Sequence, residues 1–231
     1  MRTLKALSWL LGYPEAAMCE ALPELVAAID ADEVLTMPCR SDLHRLVGAL
    51  EASDEIEAQE RYVELFDRSR RNSLYLFEHV HGDSRDRGMA MVNLRELYAA
   101  AGLESDTDEL PDYLPMYLEY LSVLPPAQER QGLRDVGPIL QAIHARLVER
   151  DSIYAAAFAG LLQLAGLEPD AACAEEPEDD SPEGLDRAWE ETAVAFGPEN
   201  DPTRSGVCGR VAGMLERMTA DTPAMGEETR R

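Results

Sequence analysis

The run Val136-Gly137-Pro138-Ile139-Leu140-Gln141-Ala142-Ile143-His144-Ala145-Arg146-Leu147 decides the fold class. Val136, Ile139, Leu140, Ile143 and Leu147 recur at intervals of three and four. That spacing places them on one stripe of an amphipathic α-helix, with Arg134, Gln141 and Glu149 elsewhere on its circumference. Downstream, Tyr154 to Leu164 is almost wholly apolar or small, as suits a buried helix, and it ends in Ala165-Gly166-Leu167. Upstream, Met91, Leu94, Leu97 and Tyr98 form another stripe that ends in Ala101-Gly102-Leu103. Both endings are the pattern of a glycine in the left-handed conformation followed by an apolar residue that folds back. Ile56, Tyr62, Val63 and Phe66 share a further stripe on a helix expected to begin near Asp54, where Asp54 and Glu57 make an acidic variant of the capping box. No segment alternates apolar and polar residues with β-branched enrichment, and no Asn-Gly or Asp-Gly turn joins two strand-like runs. The expectation is an all-α, single-domain helical bundle with short connections between neighbouring helices.

The chain has 231 residues and 45% hydrophobic content, enough for one domain with a substantial core. Its 45 acidic residues against 21 basic ones give a formal charge of −24. Such a chain repels nucleic acid phosphates and anionic headgroups and favours cationic partners, unless the acid serves solubility alone. Residues 1–167 read as the helical domain. Residues 168–231 open with a stretch rich in proline and carboxylates and read as a flexible acidic linker with a weakly structured tail. Within that tail, Gly206 to Met218 reads as a weak helix. Met1 to Pro14 reads as a first amphipathic helix closed by Gly12 and Pro14; its apolar run is short, Ser8 interrupts it, and no small-x-small cleavage site follows. No apolar run approaches the roughly 20 residues needed to span a bilayer. Cys19, Cys39, Cys173 and Cys208 are scattered without a C-x-x-C pair, so a cytoplasmic location is the default expectation.

Motifs for bond-making chemistry are weak. G-x-S-x-G, the phosphate loop and the dinucleotide fingerprint are absent from the sequence. His79-Val80-His81, with Asp83, invites a metal-dependent hydrolase reading. Two imidazoles two positions apart share a face on a strand, whereas on a helix they point about 200° apart. The competing reading is a helix-terminal pair that caps carbonyls. Tyr62, Leu65 and Phe66 share a helical face, either as core or as the lining of a groove. In Glu109-Leu110-Pro111-Asp112-Tyr113-Leu114-Pro115 two prolines straddle a helix start. Pro111 fits a first turn, and Pro115 then requires a kink or a later start. The block is either a helix cap built on Asp112 or a hinge that presents Asp112 and Tyr113.

At three blocks the sequence resembles the nitrate reductase delta subunit family, the molybdenum cofactor assembly chaperones related to the TorD-like redox enzyme maturation proteins. The blocks are Tyr62-Val63-Glu64-Leu65-Phe66-Asp67, the run from Ser73 through Phe77, His79 and His81 to Gly88, and Glu109 to Leu121. The looser similarity covers roughly residues 1–165. Relatives that serve exported enzymes carry His after the aspartate, where this chain has Tyr113, which favours the nitrate reductase branch.

The resemblance implies a non-enzymatic chaperone with no stably bound cofactor. Its client would be the N-terminal peptide of the apo catalytic subunit of nitrate reductase, held off the membrane anchor while molybdenum cofactor and iron–sulfur clusters are installed. The chaperone would then leave, inserting into no membrane itself. Molybdenum cofactor biosynthesis proteins are implied as further partners. Client-binding candidates are Tyr62, Leu65, Phe66, Asp67, Phe77, His79, His81, Asp112, Tyr113, Tyr117, Leu118, Glu119 and Leu121. Hinge candidates are Glu109, Leu110, Pro111, Asp112 and Pro115. The alternatives are a chaperone for an exported twin-arginine molybdoenzyme of the dimethyl sulfoxide or trimethylamine oxide reductase type, the His79/His81 hydrolase, and a generic acidic scaffold.

Overall fold

A computed structural model describes residues 2–68, 70–79, 85–103 and 109–169. Nine α-helices follow one another among them: α1 (Arg2–Leu10), α2 (Ala16–Asp30), α3 (Met37–Ala52), α4 (Glu55–Tyr62), α5 (Arg85–Ala100), α6 (Leu114–Val123), α7 (Pro126–Asp135), α8 (Gly137–Glu149) and α9 (Ala155–Ala165). No β-strand occurs among the described residues, so the all-α expectation holds. The expected tail and its weak helix lie outside the described residues, as do His81 and Asp83.

Helix α9 is the centre of the bundle. Its Ala157, Phe158, Leu161 and Leu162 are fully buried, and it packs on α1, α3, α7 and α8. A helix that is apolar all round can sit only where neighbours cover it all round. Helix α1 packs on α6 and α2. Leu4, Leu7 and Leu11 point into the core, and the Ser8 hydroxyl donates to the Pro115 carbonyl at 2.8 Å. Both glycine endings have the expected geometry. Gly102 (φ +77°) and Gly166 (φ +72°) are left-handed, and the N–H groups of Leu103 and Leu167 return to the carbonyls of Tyr98 and Leu162. Asp54 caps α4 by accepting from the Glu57 N–H at 2.8 Å, but Glu57 pairs with Arg61, so only half of a capping box forms.

Three local expectations are corrected. Arg134 does not share a helix with Ile139, because α7 ends at Asp135 and α8 begins at Gly137. Pro138 cannot donate to residue 134, and its ring excludes a helix continuous through that point. Arg134 instead donates to the last-turn carbonyl of Ala165 at 2.8 Å. Ile56 is 69% exposed and lies off the buried stripe. Finally, Pro111 does not occupy a first turn: of the two alternatives at Pro115 the later start holds, with α6 beginning at Leu114 and Pro115 in its first turn, where no amide partner is lost. Pro111 lies before the helix and accepts the Tyr98 hydroxyl at 2.7 Å.

After Tyr62 the backbone widens into a π-type turn over Val63–Asp67, where the Arg68 N–H reaches the Val63 carbonyl. Tyr62 and Phe66 stay buried and Leu65 packs partly buried on the core, while Glu64 and Asp67 face solvent.

Candidate functional site

A groove of about 460 Å³ opens where the end of α1 and the start of α2 meet the end of α5 and the start of α6. From α1 and its closing turn come Ser8, Trp9, Gly12 and Tyr13; from the start of α2 come Ala17 and Met18, with Glu15 just before it. Tyr98 and Leu103 close one side, and Glu109, Tyr113, Pro115, Met116 and Glu119 close the other. Trp9 and Tyr13 keep 37% and 43% of their surface exposed, although both are large apolar groups. Three carboxylates line the groove, and no lysine or arginine among the described residues does. Lys5, one helical turn before Trp9, reaches the Glu119 carboxylate at 3.1 Å. Both partners are about half exposed, so this pair contributes at most about 1 kcal/mol and a competing cation can replace it.

The wall around Tyr113 is held by hydrogen bonds. The Tyr62 hydroxyl donates to the Leu11 carbonyl at 3.0 Å and stands 2.7 Å from the Tyr113 hydroxyl. A carbonyl only accepts, so the single Tyr62 proton goes to Leu11 and Tyr113 donates to Tyr62. The Tyr75 ring packs at a tilt against Tyr113, centroids 5.5 Å apart, and its hydroxyl donates to Glu109. Main-chain bonds clasp the same two segments: Leu76 N–H to the Asp112 carbonyl (3.0 Å) and Leu114 N–H to the Leu74 carbonyl (2.7 Å). Behind them, Tyr13, Tyr62, Phe66 and Tyr154 form a chain of rings with successive centroids 5.0 to 5.5 Å apart, from the groove rim into the core.

Asp112 is fully buried. One carboxylate oxygen accepts the Phe77 N–H at 3.0 Å and lies 4.0 Å from Arg87, while the other has no partner. Burial raises its pKa above the usual carboxylate value, against the lowering influence of Phe77 and Arg87. Asp112 therefore ties Leu76–His79 to the start of α6; it does not cap α6 and does not face the solvent.

Chemically the arrangement favours contact over bond-making. Burial pushes Tyr113 up to about 12 and Tyr154 up to about 12, so these phenols stay protonated. Burial also pushes the Cys39 thiol up to about 11, away from a reactive thiolate. His79 Nε2 donates to the Ser73 carbonyl at 2.7 Å, as a carbonyl-capping histidine does, and burial lowers its pKa. No group of three His, Cys, Asp or Glu side chains suited to a metal ion occurs among the described residues.

The sequence candidates divide accordingly. Tyr113, Glu109, Pro115 and Glu119 line the groove. Phe66, Phe77, Tyr117, Leu118 and Leu121, with Tyr62, are buried in the core, where no visitor touches them in this conformation. Asp67 lies at the surface beside Glu109; the partial desolvation of its carboxylate, and then the Glu109 charge, raise its pKa. Leu110 is exposed, and His79 is partly buried. Sequence reading missed Trp9, Tyr13, Met18, Leu103 and Met116. Trp9 and Tyr13 are four apart in the sequence, a detectable spacing, although Tyr13 lies beyond the end of α1, and nothing in the spacing says that α6 lies opposite.

The fold and groove define an all-α protein whose described surface offers an aromatic, acidic cleft for a ligand with apolar and cationic groups. The chain belongs to the nitrate reductase delta subunit family, which matches residues 15–160. It is 46% identical over 204 residues to the nitrate reductase molybdenum cofactor assembly chaperone NarJ of Escherichia coli K12, covering 85% of each chain. It is 43% identical over 206 residues to the probable assembly chaperone NarW of the same organism, covering 87% of this chain and 86% of that one. It is 29% identical over 153 residues to the probable assembly chaperone NarJ of Bacillus subtilis, covering 66% and 82%. No helix among the described residues is long and apolar enough to cross a membrane.

Proposed function

We propose that this protein is a dedicated cytoplasmic chaperone for the apo catalytic subunit of a respiratory nitrate reductase. It binds that subunit's N-terminal region, assists insertion of molybdenum cofactor and iron–sulfur clusters, delays membrane docking, and is absent from the mature enzyme. The names of the relatives support the chaperone role. The observation that carries the binding mode is the half-exposed Trp9 and Tyr13 beside Met116, bordered by Glu15, Glu109 and Glu119.

A client segment that folds into an amphipathic helix places its apolar side chains on Trp9, Tyr13, Met116 and Tyr113. Each large apolar group so covered contributes about 1.5–3 kcal/mol before ordering costs. A basic client residue then displaces Lys5 from Glu119 or approaches Glu109, and the net charge of −24 steers the encounter. This contact set replaces the buried rings Phe66 and Tyr117, which act behind the groove as its support. The molybdenum cofactor and clusters are cargo of the client and occupy no assigned site on this chain.

Calorimetry with a synthetic N-terminal peptide of the catalytic subunit tests the reading. Affinity should fall at least tenfold with Trp9→Ala or Met116→Ala and fall as salt rises. Unchanged affinity in both variants would move the client elsewhere. Co-purification with a client that carries a twin-arginine leader would shift the assignment to the exported-enzyme branch.

A further inference from the structure

We infer that residues 205–218 of this same chain are the groove's resting occupant, an internal mimic of the client that the client must displace. This rests on the reading of the groove as a site for a basic amphipathic helix. The segment reads Ser205-Gly206-Val207-Cys208-Gly209-Arg210-Val211-Ala212-Gly213-Met214-Leu215-Glu216-Arg217-Met218 and lies outside the described residues.

At 100° per residue, Val207, Val211, Met214, Leu215 and Met218 fall within about 100° of arc. Arg210 and Arg217 lie together along one border of that stripe, about 10 Å apart on the helix axis. With Arg204 just before it, the segment carries three arginines against one glutamate, in a chain of net charge −24. The groove offers the complement: Trp9, Tyr13 and Met116 for the stripe, and Glu109 and Glu119 for the arginines. The acidic stretch from Glu168 to Asp186 is repelled by those same carboxylates, so it acts only as a tether.

Reach is sufficient. Residues 170–204 number 35, and an unbiased coil of that length spans about 30–35 Å. The folded unit before them has a radius of gyration of only about 15 Å for its length. A tether of this length gives an effective concentration of about a millimolar. Gly206, Gly209 and Gly213 make the free helix poor, so ordering it is costly and the occupant is weak and displaceable.

The test uses the full chain. A benzophenone photocrosslinker at position 116, and separately at position 9, should capture residues 205–218 of the same molecule. Capture of another segment, or only of a neighbouring molecule, overturns the inference. Arg210→Glu with Arg217→Glu should tighten the synthetic client peptide three- to tenfold. The uncharged pair Val211→Ser with Leu215→Ser should tighten it by a similar factor. If only the charge reversals act, the effect is a long-range field and the inference fails. Loss of the client-peptide response to Trp9→Ala would overturn the proposed function alone, because the crosslink is read without any client.

Discussion

Tyr113 donates its hydroxyl to Tyr62, and Tyr62 donates its own to the Leu11 carbonyl just after α1. This pair of hydrogen bonds ties the turn after α1 to the start of α6, the two segments that flank the groove, alongside the Ser8–Pro115 bond. Tyr62→Phe deprives both Leu11 and Tyr113 of a partner in a buried setting. It should cost about 1–3 kcal/mol in denaturant unfolding. Tyr113→Phe leaves the Leu11 bond intact and should cost less than half as much.

Groove and core are separable by mutation. Phe66→Ala and Tyr117→Ala should each cost about 3–5 kcal/mol of stability, because both rings are buried. Trp9→Ala should cost under about 1.5 kcal/mol while abolishing most peptide binding. Paired measurements of unfolding free energy and peptide affinity check this; a stable Phe66→Ala would contradict the placement of that ring.

Asp112 ionises against its surroundings. Its folded pKa is raised, so between the unfolded value near 3.8 and the folded value the native state holds a proton that the unfolded chain has lost. Its contribution to stability is therefore most favourable at low pH and declines as pH rises through the folded pKa. Asp112→Asn keeps an oxygen for the Phe77 N–H and removes the buried charge. Relative to the parent, it should gain stability as pH rises from 4 towards 7. Asp112→Ala should lose about 1–3 kcal/mol at all pH values, since the Phe77 amide loses its partner.

His79 works in the opposite direction. Its folded pKa is lowered, chiefly by burial, so the unfolded chain takes up a proton first as pH falls below about 6.5. His79→Gln retains a donor for the Ser73 carbonyl and cannot titrate. The fall in stability between pH 6.5 and 5 should be shallower in this variant, by chemical denaturation at each pH.

Gly132 admits the tightest helix contact at α6. A Cβ there would stand 2.4 Å from the Leu121 side chain and 3.1 Å from the Tyr117 hydroxyl, which itself donates to the Gly132 carbonyl. Gly132→Ala should cost about 1–3 kcal/mol. Adding Leu121→Ala should recover part of the local strain in a double-mutant cycle, giving less than the sum of the two single losses.

Periodicity and punctuation carry α5, α8 and α9 and the two left-handed glycine endings, because spacing at three and four residues and a Gly cap act over one or two turns. The break at Val136 was equally local, since Pro138 forbids a continuous helix, yet the apolar stripe ran through it and masked it. The blocks around Tyr62, Phe77 and Asp112 pointed to the family.

What the chain determined by itself was helix identity, the acid excess and the absence of recognised catalytic motifs, since these depend on neighbours within a turn or on a simple sum of charges. Tertiary structure alone decided which rings face outward. Tyr62, Phe66, Tyr117 and Trp9 are alike as large apolar groups in helical turns, and only tertiary packing buries the first three, Tyr62 and Phe66 against Tyr154 and Tyr117 in the core, and leaves Trp9 at the rim. Burial depends on which segment lies opposite, and that is a relation between residues far apart in the sequence.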